Sequence, residues 1–223
     1  MSPGAQKTYG LRMLEGLVKH FPWKIVAYLE EPQSIDGVEV RDFHSIKDAD
    51  RFLKRIESVF GANGVGHNDY DYRYDCNKFC RKVFVQDAVF DESDYVFWFD
   101  SDCVFYKDFT EGFLKELFRG TALAYLGRGD SPGLSAYTET GFLGFSTQHP
   151  DFALFRSRYL PYFTTGRIFS QLKGWHDCIA FDEARKGIAS KNLTPQGQGM
   201  NHVVNISPLK DYMSHLKGEL KNA

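Results

Sequence analysis

The chain has 223 residues, 43% hydrophobic and 25% charged, enough to bury one good core and too few for two full domains. With 27 Lys and Arg against 29 Asp and Glu, the net charge of −2 excludes a general basic field for gripping a nucleic-acid backbone or an anionic membrane. Aromatic residues make up 16% of the chain, which excludes disorder as the main state and favours dense packing or rings that stack on ligands.

Met1 to Gly10 carries a single lysine and no apolar run, and nowhere do 18 apolar residues follow one another, so neither export nor a membrane span is expected. Cys76, Cys80, Cys103 and Cys178 form no C-x-x-C pair and no dense disulfide framework. Reduced thiols in a cytoplasmic protein are the expectation, without a four-thiol zinc site.

In chain order, Leu11, Leu14, Val18 and Phe21 follow helical spacing up to Pro22, and Ile25 to Leu29 reads as a strand. A polar, turn-rich stretch runs to about Asp42. Phe52, Leu53, Ile56, Val59 and Phe60 mark a second amphipathic helix, stopped by Gly61 and Gly64, and the loop from Gly61 to Asp69 is expected at the surface. Asp75 to Val89 suits a third helix. Tyr95 to Phe99 is a continuous apolar run, as in a strand covered on both faces. A helix around Phe109 to Leu117, strands at Thr121 to Leu126 and Gly141 to Phe145, and helices around Asp151 to Tyr159 and Trp175 to Lys186 complete the pattern. This alternation predicts an α/β sandwich with a mainly parallel central sheet, residues 1–223 forming a single domain, and a ligand site beyond the carboxyl ends of the strands.

The apolar run ends in Asp100-Ser101-Asp102. Two carboxylates at a strand's carboxyl end repel each other, and a divalent cation relieves that repulsion while leaving open positions for phosphate oxygens. Asp48-Ala49-Asp50 and Asp69-Tyr70-Asp71 have the same spacing, but the first complements a helix dipole and the second falls in a polar loop, so both are set aside. The competing reading of Asp100 and Asp102 is a turn cap beside a solvated acid. Near the C-terminus, His215, Gly218 and Lys221 stand at H-x-x-G-x-x-K spacing, with Lys217 between them. An imidazole can complete a carboxylate metal site, a glycine lets the backbone approach a phosphate, and a lysine neutralises diphosphate charge. Oxygen ligands with one imidazole suit Mn²⁺ or Mg²⁺ better than structural zinc.

With these two motifs in this order, the chain resembles GT-A fold glycosyltransferases that use nucleotide sugars, nearest to the glycogenin-like and bacterial galactosyltransferase group. The resemblance implies a three-layer Rossmann-like sandwich in which Asp100, Asp102 and His215 hold the metal, while Gly218 and Lys221 meet the phosphates. It also implies a donor such as a UDP-sugar, an acceptor hydroxyl on a glycan or other molecule, and retention of anomeric configuration. Such folds usually open with a strand that helps hold the nucleotide base, whereas this chain goes straight into a helix, so that first strand is expected to be lacking.

On the sugar side, Glu139 precedes a short strand and could accept hydrogen bonds from hydroxyls, against the plainer reading of a solvated loop acid. In Trp175-His176-Asp177 an indole can stack on a sugar while the acid stabilises developing positive charge; a core tryptophan and a helix cap are the plainer readings. By chain order, the resemblance favours Asp177 over Glu139 as the residue near the reacting carbon. Ser101, between the two acids, and Lys78, on a basic helix start with Lys82 four residues on, complete the expected nucleotide-sugar contacts. His202 and His149 are read as turn residues. Arg128-Gly129-Asp130 matches an adhesion tripeptide, but a loop near the pocket is the simpler reading. The alternatives to sugar transfer are a metal-dependent phosphohydrolase using Asp100, Asp102, Asp177, His176 and His215, and a non-catalytic nucleotide-sugar-binding module.

Overall fold

The computed structural model describes residues 1–66, 69–128, 137–195 and 202–216. The first long helix, Leu11–His20, buries Met13, Leu14 and Leu17 and ends as Phe21 turns extended ahead of Pro22. No strand precedes it among the described residues, and Met1 instead exchanges backbone hydrogen bonds with Tyr28 and Glu30. Strand β1 (Val26–Leu29) pairs in parallel with β2 (Glu39–Asp42). The polar stretch before Asp42 thus contains a strand, which its composition hides because Glu39 and Arg41 meet Lys24 and Glu92 at the surface.

The helix Lys47–Ile56 carries Asp48 and Asp50 in its first turn, where they complement the dipole. The helix Cys76–Val89 starts after Asp75, whose carboxylate accepts a hydrogen bond from the Lys78 amide at 3.0 Å. Next come β3 (Tyr95–Phe99), β4 (Cys103–Phe105), the helix Glu111–Glu116 capped by Thr110, β5 (Leu123–Leu126) and β6 (Glu139–Ser146). The helices Phe152–Tyr159 and Asp177–Ala184 are followed by β7 (Ser190–Asn192) and β8 (Met213–His215).

The largest sheet has the order β3-β6-β5-β7. β6 runs antiparallel to both β3 and β5, and β7 runs parallel to β5. The sheet is therefore mixed: β3, β5 and β7 point one way and β6 the other, so a mainly parallel sheet holds for strand direction but not for strand pairing. Hydrophobic runs identify strands and carry no information on direction, which the chain path sets.

Side chains alternate across this sheet with the period of two that a strand imposes. Leu123, Tyr125, Leu143 and Phe145 pack into one apolar cluster with the helices Lys47–Ile56, Cys76–Val89, Phe152–Tyr159 and Asp177–Ala184. Ala124, Leu126, Phe99 and Phe142 pack into a second cluster with Leu11–His20, Glu111–Glu116 and β1. Helices thus cover both faces of a mixed α/β sheet. Among the described residues no helix is long and apolar enough to cross a membrane. Cys76, Cys80 and Cys178 carry free thiols, and burial pushes the Cys80 thiol up to about 12.

Candidate active site

Asp100 leaves β3 in a tight turn closed by the Cys103 amide, which donates to the Asp100 carbonyl at 3.0 Å. The Asp100 amide donates to Gly141 O at 2.9 Å, and Trp98 Nε1 donates to Asp100 Oδ1 at 2.7 Å. The turn leads into β4, which pairs antiparallel with β8 so that Cys103 faces His215, Val104 faces Ser214 and Phe105 faces Met213. The Leu216 amide donating to Asp102 O and the Tyr106 amide donating to Tyr212 O, both at 3.0 Å, extend this ribbon at either end.

The ribbon brings together groups 113 residues apart: His215 Nε2 lies 2.7 Å from Asp102 Oδ1 and 3.9 Å from Asp100 Oδ2. His215 Nδ1 lies 3.5 Å from Glu139 Oε1. Glu139 is buried at the start of β6. It accepts from the Gly141 amide at 3.1 Å, pairs with the Arg128 guanidinium, and has His202 Nε2 3.3 Å from its Oε2. The His202 and His215 rings meet edge to face, with centroids 5.3 Å apart. Two sets of side chains here, Asp102 with Cys103 and His215, and Glu139 with His202 and His215, are close enough to share an ion.

A second set of charges adjoins the first. Lys82 Nζ lies 2.8 Å from Asp100 Oδ1, 3.0 Å from Asp177 Oδ2, and 3.1 Å from both the carbonyl and the hydroxyl of Thr140. Burial pulls the Lys82 ammonium down, and the carboxylates of Asp100 and Asp177 more than reverse this, raising its pKa well above the usual lysine value. Asp177 has no solvent exposure, so Lys82 is the counter-charge that keeps a buried carboxylate tolerable. Next to it, burial pulls the His176 pKa below the ordinary imidazole value. The His176 ring sits among Tyr72, Phe79 and Tyr137, and its Nε2 has no hydrogen-bond partner among the described residues.

Asp100, Asp102, His215, Glu139 and Asp177 therefore gather in one region, joined through Lys82 and Gly141. Ser101 is half-buried in the turn. Lys78 is exposed, its ammonium over the Phe79 ring, and it is Lys82, one turn on, that reaches Asp100. Trp175 is half-buried beside Tyr74 and Phe169. Lys217, Gly218 and Lys221 lie outside the described residues, as do residues 129–132 of the adhesion-like segment; Arg128 itself is engaged by Glu139. The turn reading of His202 is incomplete, since its Nδ1 accepts from the Val204 amide at 3.4 Å while its other nitrogen faces Glu139. Lys82 carried one sequence signal: a lysine among the apolar positions Cys80, Val83 and Phe84 of a helix. His202 and Arg128 carried none, because only the folded chain brings them to Glu139.

Asp102 and His215 fall in a set that could hold an ion, whereas Asp100, 3.9 Å from His215 Nε2 and paired with Lys82, stands outside both sets. The seat of the imidazole is shaped for it: a Cβ on Gly141 would stand 2.2 Å from His215 Cε1, so only glycine leaves the ring its place.

No protein-family model matches the chain, and no curated protein matches it. Among solved structures, the chain is similar to the apo crystal structure of mouse xyloside xylosyltransferase 1. The two share 14% identity over 85% of this chain and 80% of that one, with a TM-score of 0.48.

Proposed function

We propose that this chain is a glycosyltransferase that moves a sugar from a nucleotide diphosphate sugar, such as a UDP-sugar, to an acceptor hydroxyl, with Mn²⁺ or Mg²⁺ held by Asp100, Asp102 and His215. The observation that carries this reading is the β4–β8 ribbon, which sets His215 Nε2 2.7 Å from Asp102 and 3.9 Å from Asp100 at the end of β3, the edge strand of the large sheet. The motif resemblance in the sequence supplies the reaction class.

In this reading the ion, when bound, stabilises negative charge on the departing diphosphate. The chain's own residues do the rest. Lys82 holds the Asp100 and Asp177 carboxylates a fixed distance apart. Asp177, buried and oriented by that ammonium, stabilises positive charge on the sugar ring as the glycosidic bond breaks. Glu139, clamped by Arg128 and the Gly141 amide, accepts hydrogen bonds from sugar hydroxyls. Ser101, Lys78, Lys217, Gly218 and Lys221 belong to the donor side, and retention of configuration follows the family resemblance; NMR of the first-formed product tests it.

A thermal-shift panel of nucleotide sugars with and without Mn²⁺ tests the whole reading. A donor at a hundred times its Kd adds about 2.7 kcal/mol, which for a chain of this size is a rise of roughly 5–10 °C in Tm. Asp102→Ala is expected to remove the Mn²⁺-dependent part of that shift and to lower transfer by at least roughly 100-fold, the usual effect of losing one well-placed electrostatic partner. Phosphate release without a sugar acceptor would point instead to the hydrolase, and tight donor binding without turnover to the binding module.

A further inference from the structure

Beside the charged site lies an open cleft of about 310 Å³ lined by Phe60, Gly61, Asp69, Asp71, Tyr74 and Trp175. Its rings are unusually exposed for large aromatics: Phe60 is 66% accessible and Tyr74 37%. The cleft is also rigidly built. Gly61 and Gly64 have φ of +78° and +76°, which lets the loop double back, and the Gly64 amide donates to Gly61 O at 2.9 Å. The Asp71 amide donates to Gly64 O at 2.7 Å, the Asn77 amide to Ala62 O at 2.9 Å, and the Trp175 amide to Arg73 O at 2.6 Å, so loop, helix start and indole are tied together. On the rim, Asp71 and Arg73 form a charge-paired fork with Nη2 to Oδ2 at 2.6 Å, which offers both acceptors and donors to a ligand.

We infer that this cleft binds the acceptor as a neutral saccharide, one pyranose face lying on the aromatic rings and its hydroxyls bonded along the Asp69 and Asp71–Arg73 rim. Three observations support this choice of ligand. Exposed rings beside polar groups match the two sides of a pyranose, an apolar C–H face and a hydroxyl edge. The carboxylates on the rim, with Arg73 already paired, disfavour an anionic nucleotide and leave a neutral polyol favoured. The volume is near the lower end of small-ligand sites, about 300–1,000 Å³, which suits one or two sugar rings and not the apolar face of a helix.

The cleft is tied to the charged site along the chain, since Trp175 lines it and Asp177 follows two residues on. His176 is extended (φ −119°, ψ 161°), so Trp175 and Asp177 fall on one side of the chain, with Cα atoms about 7 Å apart. Asp177 itself is fully buried against Lys82, so a sugar on Trp175 lies beside the charged site and not in contact with that carboxylate. This inference rests on the transferase reading, and it gives the cleft the substrate class that the charged site leaves open.

The test uses the full chain without metal or nucleotide. Methyl glucosides, galactosides and xylosides, with maltose, lactose and chitobiose, serve as probes in saturation-transfer NMR and calorimetry. At least one probe is expected to bind, with saturation concentrated on the C–H face of one ring. Phe60→Ser and Tyr74→Ala, each shown folded by near-UV circular dichroism, are expected to weaken that binding at least tenfold, while Asp102→Ala keeps it. Binding by no probe, unchanged affinity in both cleft variants, or displacement of the sugar by UMP or by an aromatic-rich peptide would overturn the inference. A Mn²⁺-dependent thermal shift of the unmodified chain by a UDP-sugar, lost in Asp102→Ala, reports separately on the transferase reading; its absence would overturn that reading and leave the saccharide result standing.

Discussion

A Cβ added to Gly141 would stand 2.2 Å from His215 Cε1 and 2.3 Å from its Nδ1, distances that no side chain tolerates. Gly141→Ala therefore has to push the imidazole away from Asp102, and Mn²⁺ affinity is expected to fall at least roughly tenfold, comparable with the loss of a partner that orients a ligand; calorimetry of Mn²⁺ binding checks it. Lys82 is the corresponding position for stability. Lys82→Met leaves the fully buried Asp177 without its counter-charge and is expected to cost about 3–5 kcal/mol. The sign with pH follows from a folded pKa raised above the unfolded value: the contribution is complete below about 10.4, the lysine value in an unfolded chain, and is lost only as pH rises through the higher folded value. The gap in urea midpoint between wild type and Lys82→Met should therefore stay constant from pH 6 to 9. Asp100, Asp102 and Glu139 were legible as residues because their types and places along strands are chemical signals. Arg128 and His202 were not, since nothing local in the sequence ties either to Glu139.

At the scale of elements, a three-residue ribbon brings His215 to Asp102, two of the proposed metal ligands. Hydrogen bonding between the backbones of Asp102 and Leu216, and of Tyr106 and Tyr212, makes Val104 and Ser214 the next bonded pair and leaves Cys103 and His215 as the close non-bonded pair between them. Ser214→Pro removes the middle donor of this ribbon. Mn²⁺ binding is expected to disappear in calorimetry, with a smaller effect on urea stability than Lys82→Met, because the large sheet does not include β8. Long elements were readable from hydrophobic period: the helices at Leu11–His20 and Cys76–Val89 and the strand Tyr95–Phe99 fall where apolar spacing puts them. The short strands Glu39–Asp42, Cys103–Phe105, Ser190–Asn192 and Met213–His215 were not. Strands of three or four residues, several of them polar, owe their conformation to pairing with a neighbour more than to intrinsic preference.

Across the whole molecule, the sheet and its two flanking helical layers form the platform on which the acids are held. Phe145 is fully buried in β6, with ring centroids 4.9 Å from Phe90 and 5.9 Å from Phe155, at the junction of sheet and helices. Phe145→Ala is expected to lower stability by about 3–5 kcal/mol, with circular dichroism and tryptophan fluorescence still melting together if both faces of the sheet unfold as one unit. The sequence by itself determined the class of fold, the long helices and strands, and the acid pair at the end of an apolar strand, because hydrophobic period and the repulsion of neighbouring carboxylates are local properties. Only the tertiary structure decided that β6 runs against its neighbours, that Lys82 and not Lys78 faces Asp100, and that His215 reaches Asp102 across 113 residues. Strand direction, the burial of a charge and the meeting of distant side chains are consequences of how the chain returns on itself, and no local pattern of residues encodes them.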